Sequence, residues 1–191
     1  MGKKMLLIVD PQNDFINGSL AVEGAEGAMI SLARYIERNA MNYNLVGVTI
    51  DWHPINHCSF KDNGGIWPLH CVQHTNGAAI FPAIFDAIKT HVKCQYVTFE
   101  KGQITSREEY SVMDNEISKD HLLMLLDEMG ITEIDVCGIA YEYCVTESIL
   151  GLVKHLKDKD IKINLLTDYT PAIGDKSKAT EDLITNHVNL K

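Results

Sequence analysis

The sequence predicts an α/β fold, a parallel sheet covered by helices on both faces, and three observations predict it. Short continuous apolar runs recur along the 191 residues, the pattern of strands buried on both sides. Between them lie amphipathic stretches with apolar residues at i, i+3, i+4 and i+7 spacing. The two patterns alternate, as in successive βαβ units with right-handed crossovers. No internal repeat, low-complexity tract or linker breaks the alternation, so residues 1–191 are expected to form one domain.

The first strand spans 4–9 and stops at Asp10-Pro11. A helix follows, with Met29, Leu32, Ala33, Ile36 and Ala40 on one face. The second strand covers 44–50 and ends at Asp51. Segment 51–93 is richest in turn signals, including Asn63-Gly64-Gly65 and Asn76-Gly77, and irregular chain of that length inside a domain is usually functional. A third strand over 95–99 leads into Glu100-Lys101. Leu122, Leu125, Leu126 and Met129 mark the next helix, with Ser118 or Asp120 as N-cap and Gly130 closing it. The fourth strand covers 133–139, and a helix carrying Val145, Ile149, Leu152 and Leu156 begins directly after Cys144. A fifth strand over 161–166 and a last, weaker helix over Ala179, Leu183 and His187 complete the chain.

Composition narrows the function classes. The chain has 17 basic and 26 acidic residues, a net charge of −9, and carries no basic stripe. That excludes a good electrostatic match to nucleic acid or to an anionic membrane. The apolar run 5–9 is too short for a bilayer span or a signal peptide. A cytoplasmic protein without nucleic-acid or membrane partners is expected; a homo-oligomer is allowed. The five cysteines (Cys58, Cys71, Cys94, Cys137, Cys144) form no C-x-x-C pair and suggest no disulfide framework.

Chemistry in a parallel sheet gathers at the carboxyl ends of the strands. The residues found there are Asp10, Asp51, Lys101 and, after the turn at Ala140, Cys144. A strand-terminal Asp commonly serves only as a turn former, but four such groups on one edge form a set. Cys144 at a helix N-terminus would have its thiolate favoured by the dipole, and Lys101 would add to this. Asp10 would move protons between the thiol and a departing amine, and backbone N–H groups of the 140–144 turn would hold an oxyanion. That is the logic of nucleophilic acyl transfer.

A second constellation lies in the turn-rich segment. Asp51, His53 and His57 stand at i, i+2 and i+6, with His70 thirteen residues further on and His74 as a competing ligand. Three imidazoles and a carboxylate suit one divalent ion, zinc, iron or manganese. Phe15 and Trp67 are placed to wall a pocket for a flat ring. No G-x-G-x-x-G follows the first strand and no Walker loop occurs, so dinucleotide and nucleotide binding lack their signatures.

Four segments resemble the isochorismatase-like cysteine hydrolases and, within them, the nicotinamidase (pyrazinamidase) family. They are Ile8-Val-Asp-Pro-Gln-Asn-Asp-Phe15, Asp51-Trp-His-Pro-Ile-Asn-His-Cys-Ser-Phe60, Trp67-Pro-Leu-His-Cys-Val-Gln73 and Gly138-Ile-Ala-Tyr-Glu-Tyr-Cys-Val145. Lys101-Gly102 falls where that family places its lysine. The resemblance implies a three-layer sandwich around a six-stranded parallel sheet. It implies Asp10, Lys101 and Cys144 as catalytic triad and Asp51, His53, His57 and His70 as metal ligands. It further implies the N–H groups of Ala140 and Cys144 as oxyanion hole, a cis peptide between Ile139 and Ala140, and Phe15 and Trp67 as substrate walls. The implied reaction is hydrolysis of nicotinamide to nicotinic acid and ammonia in pyridine nucleotide salvage, with pyrazinamide-like analogues as further substrates. Tyr141 is bulkier, and Glu142 longer, than the residues usual in the nucleophile turn, a difference expected at the pocket rim. Rival readings are a relative acting on ureido, carbamoyl or isochorismate substrates, and a metal-binding or thiol redox protein without amidase activity. The first sits poorly with the full set of ligands, and the second leaves Asp10 and Lys101 without a task.

Overall fold

Along the first strand β1, Lys3–Val9, side chains alternate between two cores: Met5, Leu7 and Val9 enter one, and Leu6 and Ile8 the other. A strand buried on both faces reads as the unbroken apolar run seen in the sequence. In the computed structural model, which describes residues 2–191, six strands make one sheet. They are β1, β2 (Leu45–Asp51), β3 (Gln95–Lys101), β4 (Ile131–Gly138), β5 (Lys162–Leu165) and β6 (Asn189–Leu190). The order is β3-β2-β1-β4-β5-β6 and every pairing is parallel.

The helices are α1 (Asn13–Ile16), α2 (Ala25–Asn39), α3 (Pro82–His91), α4 (Glu116–Met129), α5 (Thr146–Leu156) and α6 (Ser177–Thr185). One core takes the apolar stripes of α2 and α3, through Met29, Leu32, Ile36, Ile84 and Ile88. The other takes those of α4, α5 and α6, through Leu122, Leu126, Ile149, Leu152 and Leu183. The three-layer sandwich expected from the sequence is thus the observed architecture. No helix of the described residues is long and apolar enough to cross a membrane.

Several local expectations are corrected. Segment 51–93 is not irregular throughout: α3 starts at Pro82, a residue suited to the first helical turn because its missing N–H has no partner there anyway. The N-cap of α4 is Asn115, whose Oδ1 accepts from Ser118 N–H at 3.1 Å, rather than Ser118 or Asp120. Ser118 instead donates its hydroxyl to Glu100 O at 2.6 Å. Gly130 closes α4 as expected. α5 begins at Thr146, so Cys144 lies in the preceding π-type turn Tyr141–Val145, which is kinked at Tyr143. His187 falls beyond α6, with φ 59°. β6 is two residues long, too short to leave a periodic signal.

The strand order reverses between β1 and β4. Their carboxyl ends part at this switch point and open a crevice.

Candidate active site

The ends of four adjacent strands bring the predicted residues together. Across the edge from β3 to β4 come Lys101, Asp51, Asp10 and Cys144, and Asp51 pairs in register with Lys101. Lys101 Nζ is fully buried and donates to Asp51 Oδ1 at 2.5 Å and to Cys144 Sγ at 3.4 Å. It stands 2.9 Å from Asp10 Oδ2. Burial alone would strip its proton, but the carboxylates of Asp10 and Asp51 hold its pKa well above the usual lysine value. Lys101 is therefore a fixed cation between two carboxylates and a sulfur.

The remaining titrations are set by the same balance. Burial raises Asp10, Lys101 lowers it, and the net direction is upward. Thr49 Oγ1 donates to Asp10 Oδ1 at 2.6 Å, which orients the carboxyl and leaves Oδ2 turned inward. Asp51 ends far below the usual carboxylate range, because Lys101, His53 and His70 together outweigh its burial. Burial pushes the Cys144 thiol well up, Lys101 opposes this, and Asp10 and Asp51 add to it. The dipole-favoured thiolate expected from the sequence is opposed by position and burial: Cys144 sits ahead of α5 and is 6% exposed, which pushes its thiol up. A raised carboxylate within hydrogen-bonding reach of that thiol is suited to take its proton as attack begins.

Gln12, part of the first motif but given no role by the sequence, fixes Asp51 from both sides. Its Nε2 donates to Asp51 O at 2.7 Å and to Ala78 O at 2.9 Å, while its Oε1 accepts from Asp51 N–H at 2.8 Å. At Gly138, φ is 121° and an added Cβ would meet the backbone of Val9. Only glycine lets β4 approach β1 so closely before the chain turns toward Cys144. The implied cis peptide is present at Ile139–Ala140.

The candidate metal ligands divide. Donor atoms of Asp51, His53 and His70 converge: His53 Nε2 is 3.5 Å and His70 Nε2 4.0 Å from Asp51 Oδ2. Two donors each about 2.1 Å from a shared ion lie some 3–4 Å apart, so these spacings fit one divalent cation. His53 Nδ1 donates to Gly102 O and His70 Nδ1 to Pro68 O, both at 2.8 Å, which leaves each Nε2 as the free donor. His53 Nε2 is buried without any hydrogen-bond partner, an orphaned lone pair aimed where an ion would sit.

The expectation that His57 joins this set is not met in the present arrangement. Its Nε2 bonds Arg107 O at 3.0 Å and its Nδ1 accepts from Ser59 N–H at 3.2 Å, so both nitrogens are engaged. The ring stacks on His53 at 4.2 Å, and its donor atoms group with His53 and Glu108 instead. His74 belongs to neither group and packs edge-on against Trp52.

The cleft above these groups is lined by Phe15, Trp67, Tyr110, Tyr143, Ala140 and Cys144. Phe15 packs against His70 at 5.5 Å, and Trp67 Nε1 donates to Tyr110 Oη at 3.0 Å. Tyr110 and Glu108 border the cleft without having stood out in the sequence, since each lies in a loop with no motif spacing, and Tyr143 joins them from the turn that carries Cys144. Tyr141 is not at the rim: it is buried, and its hydroxyl meets Thr180 of α6 at 3.0 Å. Glu142 does reach the rim, where its carboxylate accepts from Ile173 N–H at 3.2 Å and Gly174 N–H at 2.5 Å.

Comparison with known proteins agrees with this geometry. The isochorismatase domain model matches residues 4–181. The nicotinamidase/pyrazinamidase of Mycobacterium tuberculosis is 32% identical, with 98% of this chain and 97% of the relative covered. The zinc complex of Pyrococcus horikoshii pyrazinamidase superposes with a TM-score of 0.83 at 29% identity, covering 99% of this chain and 98% of that one. PnC1 from L. infantum, solved in complex with nicotinate, gives a TM-score of 0.83 at 31% identity, covering 100% and 92%. With nearly the whole length matched and the strand-end residues of the motifs gathered at one edge, the chain belongs to the isochorismatase domain family.

Proposed function

We propose that the protein is a nicotinamidase, a single-domain cytoplasmic enzyme that hydrolyses nicotinamide to nicotinic acid and ammonia and also accepts pyrazinamide. The observation that carries this reading is the placement of Cys144, Lys101 and Asp10 in one crevice with the Asp51, His53 and His70 donors. The names of the nearly full-length relatives and the nicotinate bound to one of them support the same substrate.

The flat ring enters between Phe15 and Trp67. Asp10 takes the Cys144 proton, and the sulfur attacks the carboxamide carbon. The N–H groups of Ala140 and Cys144 hold the developing oxyanion, a contact worth about 3 kcal/mol per donor in comparable sites. Asp10 returns the proton to the amide nitrogen, the C–N bond breaks, and ammonia leaves a thioester. Asp10 then removes a proton from water, which adds to the acyl carbon; nicotinic acid departs and the sulfur regains a proton. Lys101 stays cationic throughout and stabilises negative charge on sulfur as it forms. Asp51, His53 and His70 would hold a divalent cation, which would supply Lewis acidity for orienting the ring, and the zinc bound by the P. horikoshii relative supports zinc. The test is ammonia release from nicotinamide by chelated and zinc-reloaded protein. Release that stops on chelation and returns with zinc is expected. Full zinc loading without ammonia, or activity confined to carbamoyl substrates, would overturn the reading.

A further inference from the structure

A fully buried carboxylate lies outside both the triad and the cation donors. Glu109 is 0% exposed, yet it faces neither substrate nor ion. Its Oε2 accepts from Gly102 N–H at 2.8 Å and Asn115 Nδ2 at 3.0 Å, and its Oε1 takes the guanidinium of Arg107. Sequestering a charge in this way is offset only by full pairing, which these donors provide while the carboxylate fixes the groups around it.

Those groups are the site itself. Gly102 follows Lys101 directly, and the peptide between them is held from both sides: Lys101 O accepts from Trp52 N–H at 2.9 Å, and Gly102 N–H donates to Glu109. Gly102 has φ 69°, and an added Cβ would lie 2.4 Å from His53 Cε1, so the backbone presses against the imidazole it serves. The loop 102–109 then offers main-chain carbonyls to three site residues: Gly102 O to His53 Nδ1, Arg107 O to His57 Nε2, and Glu109 O to Lys101 Nζ at 3.4 Å. The Glu109 carboxylate ties the start of this loop to its end.

We propose that Glu109 is a positioning residue that acts through the loop 102–109 on both halves of the site. It sets the His53 ring for the cation and supports the Lys101 ammonium beneath the thiol. The inference rests on the reading of Asp51, His53 and His70 as cation ligands.

Zinc affinity of chelator-stripped protein, measured by competition with a chromophoric chelator, tests it without substrate. Glu109→Ala and Glu109→Gln should weaken zinc binding, the alanine variant by about 10–100-fold, the range found when partners behind metal ligands are lost. Their kcat at saturating zinc should also fall. Arg107, whose side chain is 47% exposed, is the charge partner of Glu109 at the end of the loop, and Arg107→Ala should weaken zinc several-fold. Asp135→Asn, remote from the site, should lower the melting temperature and leave zinc affinity at the parental value. Folded Glu109 variants with parental zinc affinity would overturn the inference, as would an equal zinc loss in Asp135→Asn. If Glu109→Ala does not fold, parental zinc affinity in Arg107→Ala overturns it. A parent chain that binds zinc but leaves nicotinamide intact would refute the proposed reaction while this inference stands.

Discussion

Asp135 and Asp51 are both buried carboxylates in the same sheet, and each is paired with lysine. Around Asp135, midway along β4, Tyr43 Oη donates at 2.8 Å, Asn164 Nδ2 at 2.6 Å and Lys191 Nζ at 2.9 Å, and Lys4 Nζ is 3.1 Å away. Asn164 in turn accepts from Asn189, which fastens the short β6. Around Asp51, at the carboxyl ends, the network stays open. Among the described residues, the buried side-chain atoms without a hydrogen bond are Asp10 Oδ2, which faces the Lys101 ammonium as an ion pair, His53 Nε2 and Ser59 Oγ; the first two belong to the second network and Ser59 lines the same cleft. Buried polar atoms are nearly always paired. A network that serves folding closes on itself, whereas one that serves chemistry keeps lone pairs free for an ion, a proton or a substrate.

Changes at the open network should therefore cost activity more than stability. The largest effect is expected of Cys144→Ala, which should reduce ammonia release by at least ~10³-fold while nicotinamide still binds, as seen by equilibrium titration. Next, His53→Ala should lower zinc content and raise KM together, with a loss in kcat/KM on the order of 10²-fold. Lost zinc with an unchanged KM would detach the ring from the cation.

The closed network should behave in the opposite sense. Burial raises the Asp135 pKa, but Lys191, Tyr43, Lys4 and Asn164 outweigh it and the folded value is lowered. A depressed folded pKa contributes stability that is present above the unfolded value of about 3.9 and is lost as pH falls through the folded one. Asp135→Asn should thus cost about 2 kcal/mol in denaturant melts at neutral pH, with kcat/KM unchanged. The difference from the parent should shrink as pH drops below 4. A stability difference that persists there would assign the cost to packing instead. The smallest effect is expected of His57→Gln: zinc affinity should change less than about twofold, because second-row contacts to backbone are what that ring makes. A large zinc loss would place His57 among the ligands and remove part of the contrast.

How much of this was legible in the sequence follows from the same contrast. Asp10, Asp51, Lys101 and Cys144 could be placed because each ends or follows a continuous apolar strand, and the sheet lines such positions up. Phe15 and Trp67 followed from motif context. Gln12 shares the motif of Phe15, but neither its role nor that of Glu109 could be found in that way, since they act on main-chain groups and leave no spacing between side chains. His57 looked equivalent to His53 by residue type and spacing. Its ring orientation depends on Arg107 and Ser59 backbone atoms, which no local pattern encodes. The upward push on the Cys144 thiol escaped because helix position was weighed and burial was not. Of the fold, β6 escaped for its brevity and α3 because its stripe is only ten residues long and follows a run of turns.

The central claim is that the Cys144 sulfur becomes covalently acylated by a pyridine carboxamide. Rapid acid quench of zinc-loaded protein mixed with nicotinamide, followed by intact-mass and peptide mapping, reads this directly. A nicotinoyl thioester on Cys144, forming with a burst of ammonia and absent from Cys144→Ala, is the predicted result. Ammonia released at the parental rate by Cys144→Ala, or an acyl group on another residue, would contradict it.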